Sequence, residues 1–161
     1  MKTRVNIVKI GGAFLEEPGL AQAFYEAFAK LPGLKVLVHG GGQRATQLSR
    51  RLGIEPRMVD GRRITDAESL EVAVMVYGGW ANKTLVARLQ SLGCNAIGLS
   101  GADADLIRAA KRPVKETDYG FVGDVERVAV KTLIPLLQAG LTPVFCALTH
   151  DGKGQLLNTN A

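Results

Sequence analysis

Apolar residues fall into two rhythms along this chain: short runs rich in β-branched side chains, and longer stretches in which they recur every three or four positions. The first rhythm reads as buried strands and the second as amphipathic helices. Their alternation predicts strand–helix–strand units on a mainly parallel sheet, hence an α/β fold. Val5 to Ile10 is expected to be the first strand. Pro18 to Lys30 should be a helix with Leu20, Phe24, Ala27 and Phe28 on its inner face, and Leu34 to Val38 the second strand. A helix carrying Ala45, Leu48 and Leu52 follows His39-Gly40-Gly41-Gly42. Arg57 to Ile64 is expected to be a hairpin turning at Asp60-Gly61, because Asp-Gly supplies the two positive-φ positions of a tight hairpin turn.

Thr65 precedes Glu68 by three positions, a capping-box spacing that predicts the start of a long helix toward Leu92, with Ala73, Val76, Leu85 and Leu89 inward. Gly78-Gly79 interrupts that helix and predicts a kink or the close approach of another backbone. Beyond it, Ala96 to Leu99 reads as a buried strand. Ile107 to Val114 and Gly120 to Val128 read as short antiparallel strands around Thr117-Asp118-Tyr119-Gly120, near the sheet edge. Val130 to Ala139 should be a helix stopped at Gly140, followed by extended segments at Thr142 to Ala147 and Gln155 to Asn158. No repeat or low-complexity linker divides the 161 residues, so a single domain is expected.

Composition narrows the partners. With 47% hydrophobic and 22% charged residues the chain can bury a core without disulfides or a structural metal. Its two cysteines, Cys94 and Cys146, lie in apolar runs without metal-ligand spacing and read as buried thiols. No run approaches the roughly 18 apolar residues of a membrane span, and Met1 to Ile10 does not read as a signal peptide, so no membrane partner and a cytoplasmic location are expected. The net charge of +5 comes from dispersed lysines and arginines with no aromatic-interleaved basic run. An anionic small molecule accounts for that charge without nucleic acid.

The candidate chemistry sits where strands end. Lys9-Ile10-Gly11-Gly12 puts a lysine at the carboxyl end of the first strand, before glycines whose amides could hold phosphoryl oxygens. Alone it is equally a solvent-facing lysine before a turn, and it lacks the Walker spacing. His39-Gly40-Gly41-Gly42 opens a helix, where bare amides and the helix dipole favour an anion, although a tight turn needs the same glycines. His39 itself reads as a packing or turn residue, since no nucleophile or carboxylate is spaced to it. Arg62 and Arg63 lie just past the hairpin turn, and strand alternation sends one inward, where it could clamp a carboxylate, and the other to solvent. Two solvated arginines is the plain alternative. Asn158-Thr159-Asn160-Ala161 offers amide groups at the same sheet edge.

Together, Lys9-Ile10-Gly11-Gly12, His39-Gly40-Gly41-Gly42, Asp60-Gly61-Arg62-Arg63-Ile64-Thr65, Asn82-Lys83 and Leu156-Leu157-Asn158-Thr159-Asn160-Ala161 resemble, in order and spacing over the whole chain, the acetylglutamate kinases of the amino acid kinase family. The resemblance implies a three-layer αβα sandwich whose N-terminal lobe, residues 1–161, binds N-acyl-L-glutamate and forms a homodimer, while a C-terminal lobe, expected to be absent here, binds MgATP. It further implies that Lys9 is catalytic toward the phosphoryl group and that Gly11 and Gly12 bind phosphate. Gly41 and Gly42 would hold the substrate's γ-carboxylate, Arg63 its α-carboxylate and Asn158 its α-substituents, with the Arg57 to Ile64 hairpin as a lid. The implied activity is ATP-dependent phosphorylation of N-acetyl-L-glutamate in arginine biosynthesis, the lobe alone being inactive. Alternatives are a relative acting on N-succinyl-L-glutamate or carrier-linked aminoadipate, and a non-catalytic amino-acid-sensing or dimerisation module.

Overall fold

The computed structural model describes residues 4–11 and 17–161. Four strands, β1 (Val5–Ile10), β2 (Leu34–His39), β5 (Ala96–Leu99) and β8 (Thr142–Cys146), form an all-parallel sheet in the order β1-β2-β8-β5. Alternation along each strand divides the core between its two faces. Leu37 and Val144, both fully buried, pack with Tyr25 and Phe28 of α1 (Pro18–Lys30) and with Leu85 and Leu89 of α4 (Asn82–Ser91). Their neighbours Val36 and Phe145 face the opposite way, onto Leu137 of α5 (Val130–Gln138) and Leu106. Helices therefore cover both faces, as a parallel sheet requires.

A second sheet, ordered β10-β9-β6-β7, stands beside the first. Here β6 (Ile107–Lys111) and β7 (Gly123–Val128) pair antiparallel, as do β9 (Leu148–His150) and β10 (Leu156–Asn158). The sequence pattern shows the β6–β7 hairpin but not β9, since the apolar run continues from β8 through Ala147 while the chain changes sheets. The hairpin β3 (Met58–Val59) and β4 (Arg62–Arg63) turns at Asp60-Gly61, with φ of 49° and 72° at the two central positions. A turn with two left-handed central residues matches the right-handed twist of the flanking strands.

Two local expectations are corrected. On α1 the buried residues are Ala21, Tyr25 and Phe28, with Phe24 partly covered, whereas Leu20 and Ala27 face solvent. The apolar stripe is rotated from the expected one because the Tyr25 ring, not Leu20, fills the space over the sheet. The long helix starts one residue later than the capping-box spacing suggests: Asp66 is the N-cap, its carboxylate accepting from the Ser69 amide at 2.9 Å. Thr65 is instead fully buried, and its hydroxyl donates to the Arg63 carbonyl. From Asp66 the helix runs as α3 (Ala67–Ala73), a π-helical stretch Val74–Ala81 that contains Gly78-Gly79, and α4. The wider π turns absorb the interruption without ending the helix, a distortion frequent beside functional sites.

Candidate functional site

In the order β1-β2-β8-β5, consecutive strands part company between β2 and β8, and open α/β sheets bind ligands outside the carboxyl ends of strands at such a point. A cavity of about 420 Å³ lies there. Lys9, Gly11, Gly41, Gly42, Arg63 and Asn158, drawn from four separate stretches of sequence, all line it. Gly12 lies outside the described residues.

The floor is a buried polar relay. His39, the last residue of β2, is fully buried, with Nδ1 2.8 Å from the Gly40 carbonyl and Nε2 3.1 Å from Asn82 Nδ2. Asn82 Nδ2 also donates to the Val144 carbonyl at 2.9 Å, so one side-chain amide joins β2, β8 and the start of α4. These partners assign the tautomer: Nδ1 carries the proton and Nε2 accepts. Burial pushes the His39 pKa below its ordinary value, partly opposed by the bond to Gly40, which keeps the ring neutral. His39 is thus a packing residue that fixes the glycine turn. Gly98 makes room for the relay, because a Cβ there would stand 2.0 Å from Asn82 Oδ1.

Above the relay, Gly41 is a glycine for steric reasons. Its φ of −179° suits any residue, but a Cβ would lie 2.6 Å from the Tyr77 ring, which the π-helical stretch presses against the turn. Gly42 opens α2 (Gly42–Arg51), and a Cβ there would meet only the Tyr77 hydroxyl at 3.9 Å, so the open space beside it is the cavity. The first-turn amides of α2 lack intrahelical acceptors and carry the positive end of the helix dipole, which suits a carboxylate or phosphate oxygen.

The hairpin forms the roof. Of the two arginines, Arg63 points inward and Arg62 to solvent. Arg63 donates from Nη2 to the Gly42 carbonyl at 3.0 Å and to Thr46 Oγ1 at 2.6 Å, docking the hairpin onto the first turn of α2. Its Nη1 is buried without a hydrogen-bond partner among the described residues. A buried guanidinium donor left unsatisfied is costly, and a ligand carboxylate in the cavity would satisfy it. Tyr77 stands beside it; burial raises the phenol pKa, with Arg63 pulling the other way, so the hydroxyl stays protonated. At the far wall Asn158 donates to Thr65 Oγ1 at 3.0 Å, and the Thr65 carbonyl accepts from the Phe121 amide at 2.7 Å. Gly120, at φ +70°, permits that contact, since a Cβ would fall 2.2 Å from the Thr65 carbonyl oxygen.

Lys9, Arg62, Arg63 and Arg112 line the cavity, and no aspartate or glutamate does so among the described residues. The described residues also hold no cluster of three or more potential metal ligands and no helix long and apolar enough to cross a membrane. Sequence reasoning missed Tyr77, Arg112, Thr46 and the His39–Asn82 pair. Tyr77 precedes Gly78-Gly79, and His39 and Asn82 each fall in a motif of the resemblance without any sign that they pair; Thr46 and Arg112 carry no such signal, since their roles depend on contacts between distant segments.

A doubly covered parallel sheet with a cavity at its carboxyl edge lined by one lysine and three arginines defines an open α/β domain with a basic cleft at its strand ends. The sequence model described as the Amino acid kinase family matches residues 4–161, and the chain belongs to that family. It is 56% identical over 161 residues to an acetylglutamate kinase of Phocaeicola vulgatus, covering 100% of this chain and 63% of the relative. An acetylglutamate kinase of Methanopyrus kandleri is 42% identical over 161 residues, with 98% and 63% covered. The chain thus spans less than two thirds of the length of these relatives. Among solved structures, smu.665 from Streptococcus mutans superposes with a TM-score of 0.80 at 22% identity, covering 98% of this chain and 64% of that one. An N-acetylglutamate synthase from Neisseria gonorrhoeae superposes at 0.78 and 23% identity, covering 97% and 36%. These two likenesses concern the fold.

Proposed function

We propose that this chain is the N-terminal, substrate-binding lobe of a kinase that phosphorylates the γ-carboxylate of an N-acyl-L-glutamate, N-acetyl-L-glutamate being the substrate that the relatives' names give, in arginine biosynthesis. The observation that carries the reading is Arg63: a buried guanidinium docked on α2, with one nitrogen unsatisfied among the described residues, beside amides that favour a second anion. Two anion receivers on one small cavity suit a molecule with two carboxylates. Arg63 takes the α-carboxylate, the turn at Gly41 and Gly42 the γ-carboxylate, and Asn158 the α-substituents, while the hairpin closes over them. MgATP is the co-substrate. A γ-carboxylate oxygen attacks its terminal phosphorus as the bond to ADP breaks, giving an acyl phosphate; Lys9, with the amides of Gly11 and Gly12, neutralises charge on the moving group. Phosphoryl transfer requires positioning and charge neutralisation from the protein more than covalent chemistry. The enzyme is cytoplasmic and homodimeric through this lobe.

Calorimetric titration with N-acetyl-L-glutamate tests the reading. We expect saturable one-to-one binding, weakened about 10- to 100-fold in Arg63→Ala, the loss of a charge-assisted contact. A folded chain that shows no saturable binding overturns it.

A further inference from the structure

Resting on that reading, Arg63 and Asn158 must receive one ligand from two different sheets, and a side chain that does not itself line the cavity joins them. Arg63 belongs to the β3–β4 hairpin, and Asn158 ends β10. Thr65, two residues beyond Arg63, is fully buried. Its backbone is pinned independently of its side chain: the Thr65 amide donates to the Tyr119 carbonyl at 2.9 Å, and its carbonyl accepts from the Phe121 amide at 2.7 Å. Asn158 is tied to the same stretch, its backbone amide donating to the Phe121 carbonyl at 2.9 Å. The Thr65 hydroxyl spans the two site residues directly. It donates to the Arg63 carbonyl at 3.3 Å and accepts from Asn158 Nδ2 at 3.0 Å. A hydroxyl has one proton and a carbonyl can only accept, so the proton is committed to Arg63 and a lone pair faces Asn158. The nitrogen end of the Asn158 amide is thereby the end that meets Thr65, and the oxygen end is turned away from it. Without that restraint the amide has a broad, roughly two-fold terminal torsion and could present either end to the cavity.

We propose that Thr65 is a positioning residue of this site: without touching the ligand, its hydroxyl sets the orientation of the Asn158 amide relative to Arg63, and with it the affinity for the α-end of the ligand. Fixing a polar group in its binding orientation before the ligand arrives removes an ordering cost from association. The methyl group of the same side chain fills core space instead, so the two branches of one residue serve two different ends.

Calorimetric titration with N-acetyl-L-glutamate, paired with urea denaturation, separates these two ends in the wild-type chain and in Thr65→Val, Thr65→Ser and Thr65→Ala. Valine keeps the branched shape without the hydroxyl, and serine keeps the hydroxyl without the methyl. Thr65→Val is expected to bind about tenfold more weakly, the scale of one hydrogen bond whose buried donor is left unpaired. Thr65→Ser should bind within about threefold of the wild type, although loss of the methyl lowers its unfolding midpoint. Affinity then follows the hydroxyl and stability the methyl, a crossing that a merely structural residue would not give. Thr65→Ala, compared with Thr65→Ser, deletes the hydroxyl within the smaller shape and should lose the same factor, which keeps the test valid if Thr65→Val does not fold. Equal affinity with and without the hydroxyl, affinity that tracks the unfolding midpoint across the series, or a failure of both hydroxyl-less chains to fold overturns the positioning role and leaves the proposed function standing. No saturable binding by the folded wild-type chain overturns both.

Discussion

The polar cavity at the carboxyl ends of β1, β2 and β8 shares a wall with an apolar groove, since Ala147 and residues 159–161 line both. The groove is the larger, at about 570 Å³ against about 420 Å³, and its lining is mainly apolar, with Val5, Leu34, Val128 and Ile134 among its residues. Size alone would rank it above the polar cavity. The difference lies in unsatisfied donors: the smaller cavity holds a buried guanidinium nitrogen without a partner among the described residues and a helix start with no side-chain cap, whereas the groove offers mainly apolar surface. Volume locates room, and unmet hydrogen-bonding capacity locates a ligand.

The comparison breaks most sharply if the two walls turn out to exchange roles. Phe145, 4% exposed, belongs to the groove side of the sheet and packs with Val36, Leu106 and Leu137. Phe145→Ala should lower stability by about 3–5 kcal/mol, the usual cost of emptying an aromatic site in a core, and should leave ligand affinity unchanged in the surviving folded chain. Urea denaturation and calorimetry measure the two effects separately. A variant of normal stability with lost affinity would mean that the groove, not the polar cavity, holds the ligand.

A smaller effect sharpens the same contrast from the other side. Gly41→Ala places a methyl 2.6 Å from the Tyr77 ring, so either the ring or the turn must shift. Overpacking of this kind costs about 1–3 kcal/mol, and because the displaced turn presents the α2 amides and the Gly42 carbonyl that anchors Arg63, affinity for N-acetyl-L-glutamate should drop by at least about tenfold. Wild-type affinity in a Gly41→Ala chain would show that the turn does not position the ligand.

Much of this was legible in sequence because it is local. The bounds of β1 and α1, the Asp60-Gly61 turn, and the glycine stretches after β1 and β2 follow from periodicity and from the few residues that tolerate particular backbone angles. The six described residues chosen for the site do line one cavity, and what brought them together beforehand was the resemblance to a family, not periodicity. What stayed illegible depends on partners far apart in the chain. Thr65 is the cap expected from its spacing to Glu68, but inside the fold its hydroxyl accepts from Asn158, 93 residues away, and Asp66 caps the helix instead. Arg112 looks like any surface arginine until Asp124 and Tyr119 hold it against the cavity. The stripe of α1 shifted because Tyr25, polar on most scales, buries its ring while Leu20 stays exposed.

The smallest effect concerns the relay beneath the polar cavity. His39 is buried and neutral, with its pKa below the ordinary value, whereas in the unfolded chain it titrates near 6.5. The unfolded state therefore binds the proton first as pH falls. Stability is fully present above about pH 6.5 and declines as the pH drops from there toward the folded-state pKa, with a slope that for one proton cannot exceed about 1.4 kcal/mol per pH unit. His39→Gln should lose absolute stability yet flatten this part of the pH profile, measured by denaturation midpoints between pH 7 and pH 5. Because the proton would enter a ring whose Nε2 accepts from Asn82, the acid loss should be accompanied by loosening of the bond that joins β2 to α4 and β8. Amide exchange should therefore rise at Gly40 and Gly41 before it rises at the aliphatic residues of the α5 face. A wild-type profile with no decline there, or one that His39→Gln leaves unaltered, would separate the relay from the stability of the site.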